Sequence, residues 1–306
     1  MSRGFSPQDP DDIRSGLPAP DDRPAASEGR HAEIARTGGA SPSLEQLPDR
    51  SQENSRPEIH STDGRAVLYD RDRGYRLSES EIRTIAELGR FRVIASHDLA
   101  HHAYAGREEQ AAPDVQNLVR KGLVRKGTFE GPEATPRELL TLTKRGHKLL
   151  RAIQLVPQDQ AVYHGFVKPR EANHDADLYL LYQKEAHRIE KDGGRNLRVI
   201  LDYELKRKIN RDLARFGTTA RKEIAQRHGL QVVRNKIPIP DMQIEYEARE
   251  GEIDRVNLEL VTEHYRGRSV AEKVRAGFSL YTPHGEGDRL RRVLDQHELT
   301  AEILSL

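Results

Sequence analysis

The chain of 306 residues contains no cysteine, which excludes a disulfide framework and any thiolate-ligated metal site. It has no apolar run of the roughly 20 residues that a bilayer-spanning helix requires. Its N-terminus lacks the basic-then-apolar layout of a secretory signal, so a cytoplasmic location without a membrane is expected. An excess of charge of one sign is also nearly absent, since the net charge is only +1. The first sixty residues hold seven Lys or Arg against eleven Asp or Glu, which leaves forty-three against thirty-eight elsewhere. An excess that small does not by itself announce a nucleic-acid partner, so placement of the charges has to carry the argument.

Apolar periodicity is missing from residues 1–60, which carry eight of the sixteen prolines and a single aromatic, Phe5. Such a segment buries too little apolar surface to offset a backbone entropy of roughly 1–2 kcal/mol per residue. Residues 1–74 are therefore expected to be a disordered tail, with order beginning near Tyr75.

Ser78 with Glu81 three residues on is a capping-box pattern, and Ile82, Ile85, Ala86 and Leu88 follow at helical spacing. A short Phe91–Ile94 link leads to Ser96, read as the cap of a second helix carrying Leu99, Ala100, Ala103 and Tyr104. A third helix is expected to open at Ala112-Pro113, where proline suits a first turn, and to run through Val115, Leu118 and Val119 to Gly122. Then Leu123–Phe129 alternates like a strand, Glu130 to Arg137 is a Gly/Pro turn, Glu138–Leu142 is a second strand, and Thr143 caps a last helix. Helix, helix, helix, strand, turn, strand, helix is the order of a winged helix-turn-helix, assigned to residues 75–156.

In that architecture one helix enters the DNA major groove and the hairpin lies along phosphates. The candidates are Gln110, Asp114, Gln116, Asn117, Arg120 and Lys121 on the third helix, with Arg125, Lys126 and Arg137 on the hairpin. Asp114 on the presumed reading face counts against phosphate contact. A protein-interaction module with a solvated basic face is the competing account. His97 and His101 share a helical face at i, i+4, but a metal site needs a third ligand that the sequence does not place.

Residues 170–306 read as a second, mixed α/β domain. A helix spans 171–191, Leu197–Tyr203 is a strand, residues 204–228 are helical with a break at Gly217, and Leu230–Val233 is a short strand. Residues 202–236 carry ten Lys or Arg against four acids, with Lys206, Lys208 and Arg211 as further DNA-contact candidates. Strands Met242–Ala248 and Ile253–Val261 flank a turn at Gly251, a helix is expected over Ser269–Tyr281, and residues 287–306 add a helix and an edge strand. A turn centred on Gly251 pairs positions whose numbers sum to about 502, which sets Gln243 opposite Glu259 and makes Asp241 and Glu259 diagonal neighbours on one face. Diagonal pairs lie within roughly 7–8 Å, close enough for two carboxylates to hold one Mg²⁺ or Mn²⁺. A solvent-facing polar row explains the same alternation more simply.

"IPDMQIEYE", a turn, "VNLELVTE" and the helix "AEKVRAGFSLY", behind a winged helix and the His174-Asp175 helix, resemble the replication-relaxation family of plasmids and integrative elements. The resemblance spans about residues 75–285. It implies a winged helix joined to a domain similar to the PD-(D/E)xK nucleases. Asp241 then matches the PD element, Glu259 the acid of the second strand, Lys273 and Tyr281 the helix that follows, and His174 the start of the domain's first helix. In that pattern Asp241 and Glu259 would hold the metal and Lys273 would complete the catalytic set. The chain departs from the pattern two residues after Glu259, where the usual lysine is Val261, so Lys273 or Lys236 would have to reach in. Glu185 or Glu204 is the candidate third acid.

The expected overall class is α+β. The leading function is a DNA-binding accessory or regulatory protein of a mobile element, acting in plasmid replication or conjugative transfer on double-stranded DNA, with a nuclease-like domain that has lost its chemistry and a homodimer as one arrangement. A Mg²⁺-dependent endonuclease or nickase, and a module that recruits a relaxase or replication initiator, are the alternatives.

Overall fold

A computed structural model describes residues 64–70, 73–131, 135–166, 169–262, 265, 267–282, 287–297, 299, 301 and 303–305. The architecture is mixed α and β. It opens on a hairpin, β1 (Arg65–Asp70) and β2 (Arg73–Ser78), paired Leu68 to Tyr75 and Ala66 to Leu77. Those four side chains are buried. Order therefore starts by Arg65, inside the segment expected to be a tail; the strands are short and their apolar positions are interleaved with charge, so the local signal was weak. The rest of that expectation, residues 1–63, lies outside the described residues.

Helix α1 (Glu79–Phe91) carries the expected capping box, with the Ser78 hydroxyl accepting from the Glu81 N–H and the Glu81 carboxylate accepting from the Ser78 N–H. Strand β3 (Ile94–Ala95) and helix α2 (Ser96–Ala103) follow, and the N-cap is Ala95 rather than Ser96. Helix α3 (Glu108–Arg120) starts a full turn before the expected Ala112-Pro113. Pro113 sits inside it on an exposed face. Strands β4 (Val124–Glu130) and β5 (Pro136–Leu142) pair antiparallel from Val124–Leu142 to Glu130–Pro136, and β3 adds to β5. Helix α4 (Lys144–Ala152) is capped by Thr143, whose hydroxyl accepts from the Gly146 N–H. A Cβ on Gly146 would lie 2.1 Å from the Leu123 carbonyl oxygen, so the close seating of α4 on β4 requires glycine there.

The long helix α5 (Pro169–Lys191) leads into a five-stranded sheet of order β10-β9-β8-β7-β6. Its strands are β6 (Arg195–Leu201), β7 (Met242–Glu247), β8 (Ile253–Leu260), β9 (Ser279–Thr282) and β10 (Ile303–Ser305). The β6/β7 and β7/β8 pairs are antiparallel; β8/β9 and β9/β10 are parallel. Between them lie α6 (Asp202–Phe216), a 3-10 turn (Thr218–Ala220), α7 (Arg221–Arg227), α8 (Gly267–Arg275) and α9 (Gly287–Gln296). Met242, Ile244, Leu258 and Leu260 pack under Leu178, Leu181 and Tyr182 of α5, in one apolar cluster that continues into Leu88 and Phe91 of α1. Ile200 and Phe278 pack with Leu205, Ile209 and Ile224 of α6 and α7, and Val270, Leu280 and Leu290 join α8 and α9.

Three expectations change here. Residues 230–233 form no strand; Val233 makes an isolated bridge to Lys236. The expected helix over Ser269–Tyr281 stops at Arg275, because Gly277 takes φ +79° and the Phe278 N–H returns to the Lys273 carbonyl, a left-handed helix stop. Tyr281 therefore sits on β9, not on a helix. The β7/β8 register pairs Met242 with Leu258 and Ile244 with Val256, so paired numbers sum to 500. That offset of two keeps the faces but sets Asp241 directly opposite Glu259 instead of diagonal to it.

Candidate functional site

Towards its Asp241 end the polar row of β7 and β8 is not solvent-facing, whereas Arg255 further along is exposed. Gln243 is 1% exposed and Glu259 0%. The Gln243 amide donates to the Asn257 side chain at 2.8 Å and to the His228 carbonyl at 3.0 Å, and the Asn257 amide donates to the Gly229 carbonyl at 3.0 Å. The end of α7 thus closes over this face and satisfies its amides.

At the end of the pair, the Asp241 N–H donates to Glu259 Oε2 at 3.2 Å and the Leu260 N–H donates to Asp241 Oδ2 at 2.9 Å. Helix α8 delivers Lys273, whose Nζ lies 2.8 Å from Glu259 Oε1 and 2.9 Å from Oε2, and which also donates to the Ile239 carbonyl. Tyr265 donates its hydroxyl to Glu259 Oε1 at 2.9 Å. From the first turns of α5, His174 sets Nε2 3.4 Å from Asp241 Oδ2 and Nδ1 3.9 Å from Asp175 Oδ1. Asp175 in turn stands 3.6 Å from the Arg92 guanidinium, which lies 3.9 Å from the ring centre of Tyr203. At the start of α6, the Asp202 N–H donates to the Asp241 carbonyl at 3.0 Å, and Lys206 donates to the Asp202 carboxylate at 2.8 Å.

The titration of these groups follows from that geometry. Burial works against a charged His174, but hydrogen bonds and charge from Asp175 and Asp241 outweigh it and push its pKa up to about 10. Burial would raise Asp241, yet His174 and then Lys273 hold it below the usual carboxylate range. Burial and the neighbouring Asp241 charge push Glu259 up to about 7, against the pull of Lys273 and Tyr265. Burial, then the Asp241 and Glu259 charges, push the Tyr265 hydroxyl up. Lys206 is held above its ordinary value by Asp202, Asp241 and Glu259 against the cost of burial.

A hard divalent cation takes about six or more oxygen ligands. Both Glu259 oxygens and Asp241 Oδ2 already have protein partners, and an ammonium sits between the Glu259 oxygens. The candidate third acids are committed elsewhere: Glu185 accepts from Tyr281 at 2.5 Å and pairs with Arg188 at 3.0 Å, and Glu204 accepts from Tyr163 and Lys208. Among the described residues no group of three or more His, Asp or Glu is arranged to hold a metal. As arranged, these residues do not fit a bound Mg²⁺ or Mn²⁺; they form a buried ion cluster whose cations are side chains. Of the two lysines considered, Lys273 reaches in, whereas Lys236 is exposed beside its bridge to Val233 and Val261 is buried in the α8/α9 core. Tyr265, Asp175, Arg92 and Asp202 were missed; only the adjacency of Asp175 to His174 gave a signal.

The DNA-contact candidates divide sharply. Gln110, Gln116 and Arg120 of α3 are exposed. Asn117 instead donates to Glu81, and Lys121 donates to the Arg76 carbonyl at 2.7 Å with Glu81 at 3.7 Å. Asp114 accepts from Ser80 and Tyr104, so it faces α1 rather than the presumed reading face. Arg125 is exposed with its guanidinium 4.9 Å from the Phe166 ring centre, and Lys126 pairs with Glu138 at 2.7 Å. Arg137 is turned inward, donating to Asp177 at 2.6 Å and to Asp98 at 2.9 Å, and ties the hairpin to α5 and α2. Lys206 is paired to Asp202 and Lys208 to Glu204, while Arg211 is exposed with Asp212 at 3.8 Å. His97 and His101 stack with ring centres 6.5 Å apart. No helix among the described residues is long and apolar enough to cross a membrane.

No protein-family model, no curated protein and no solved structure matches the chain.

Proposed function

We propose that the chain is a duplex-DNA-binding protein of a mobile genetic element, of the replication-relaxation type, whose residues 75–156 act as a winged helix and whose second half is a PD-(D/E)xK-like domain disarmed as a nuclease. The observation that carries the reading is the Lys273 ammonium held between both oxygens of Glu259. A carboxylate pair at adjacent strand ends with a lysine beside it is the residue set that the PD-(D/E)xK resemblance implies. Here the cation position is filled by that lysine, and His174 neutralises Asp241. The order of α1 to α4 around the β3-β5-β4 sheet supports the winged-helix reading, with Gln116, Arg120 and Arg125 free to face a duplex. An accessory role in replication or transfer then needs binding and no strand cleavage.

A Mg²⁺-dependent nickase is the second reading, favoured by the arrival of a lysine at Glu259 in place of Val261. Both are tested on one gel of supercoiled plasmid with Mg²⁺ or Mn²⁺, comparing wild type, Asp241→Asn and an EDTA control. A retarded, uncut plasmid is expected. Nicking lost in both controls would establish the enzyme instead, and neither cutting nor retardation would point to a module that contacts a relaxase or replication initiator.

A further inference from the structure

Helix α4 carries Lys144, Arg145, Lys148 and Arg151, all exposed, and contains no acidic residue. Its apolar side is fully used, with Leu149 and Leu150 at 0% exposure and Gly146 against the Leu123 carbonyl. None of the four cations has an ion-pair partner among the described residues. Like charges at i, i+3 and i, i+4 each cost a helix a few tenths of a kcal/mol, so the chain tolerates an unneutralised row on this helix although acids are nearly as common as bases overall. The row does not end at α4. A Cβ on Gly122 would lie 3.0 Å from the Arg145 guanidinium, which places Arg145 against the turn that ends α3, two residues after Arg120. There Lys121 is pushed below its ordinary value by burial and, against the pull of Glu81, by the charges of Arg65 and Arg120. By contrast, the exposed start of α3, the presumed reading helix, is acidic, with Glu108 and Glu109 in its first turn.

We infer that this band, α4 joined by Arg65 and Arg120, is a binding surface for the phosphate backbone of duplex DNA. The inference rests on the DNA-binding reading and relocates its electrostatic part from the hairpin to α4. From Lys144 to Arg151 is seven steps of about 1.5 Å along the helix, a span of about 10 Å, the length over which a strand of duplex offers about three phosphates. A membrane surface fits less well, because an interfacial helix must insert an apolar face, and the apolar face of α4 is buried in the protein.

The test uses the full chain, a fluorescent 30-base-pair duplex and anisotropy titrations over a range of NaCl. Each phosphate contact contributes about 0.9 to the slope of log K against log salt. Lys144→Ala, Arg145→Ala, Lys148→Ala and Arg151→Ala combined should lower that slope by about 3 and weaken binding more than tenfold at low salt. The pair Lys148→Ala and Arg151→Ala should lower it by about 2 and serves if the fourfold variant does not fold. A charge-matched control, Arg291→Ala with Arg292→Ala on α9, should leave the slope unchanged. Wild-type binding with an unaltered slope in both α4 variants overturns the α4 assignment while leaving the DNA-binding reading intact. Wild type that binds no duplex, or that binds phosphatidylserine vesicles through these residues instead, overturns both.

Discussion

The ammonium of Lys273 lies 2.8 Å and 2.9 Å from the two carboxylate oxygens of Glu259, a side chain with no solvent exposure. Removing one partner of a buried pair leaves an uncompensated charge, which typically costs about 3–5 kcal/mol. Lys273→Met should therefore destabilise the fold by that order in urea unfolding. It also removes the ammonium from between Glu259 and the Ile239 carbonyl, so Mn²⁺ should raise the thermal midpoint of the variant and leave wild type unaffected. A midpoint in wild type that rises equally with Mn²⁺ would show that the lysine is not in the cation's place.

The His174–Asp241 contact sets a pH window. His174 has a folded pKa pushed up to about 10 from 6.5, so its contribution to stability is fully present below pH 6.5 and is lost as pH rises through 10. Asp241 is shifted the opposite way and loses its contribution only as pH falls below the ordinary carboxylate range. Unfolding free energy should thus decline between pH 7 and 10 by denaturant titration, and Asp241→Asn should flatten that decline. An equally steep decline in the variant would assign the window to other groups.

Arg137, expected on the DNA-facing hairpin, is sequestered between Asp98 and Asp177. Arg137→Ala should cost about 3 kcal/mol or more of stability with duplex affinity unchanged at a temperature where the variant is folded. A large loss of affinity without a loss of stability would return Arg137 to the DNA-contact set.

Arg92 takes φ 64° and ψ −54° with the Val93 N–H bonded to the Phe91 carbonyl at 2.7 Å, a tight γ-turn rarely adopted by a residue with a side chain. Both Arg92→Gly and Arg92→Ala lose the contacts with Tyr203 and Asp175, but only alanine keeps the strain. Glycine should be the milder substitution by about 1 kcal/mol in parallel thermal melts; alanine equal to or better than glycine would remove strain from the account.

What the sequence determined by itself was local and patterned: the capping box at Ser78 and Glu81, the Thr143 cap, the length of α5, the strand alternation around residues 242–260 and the α+β class. Those signals arise from hydrogen bonds and side-chain spacing within a few residues, so composition and periodicity suffice to read them. The hairpin at Arg65–Ser78 was illegible because its strands are short and charge-interleaved, and the stop at Gly277 because a helical apolar pattern runs past it. Tertiary structure alone decided the site. A two-residue change in register set Asp241 against Glu259, the end of α7 covered the Gln243 end of the polar row, and α8 brought Lys273 from fourteen residues beyond Glu259 onto both its oxygens. It likewise drew Asn117, Lys121 and Arg137 inward and left the α4 cations outside. Which charge meets which depends on how distant segments pack, and a buried charge takes whatever partner that packing supplies, because leaving it unpaired costs several kcal/mol.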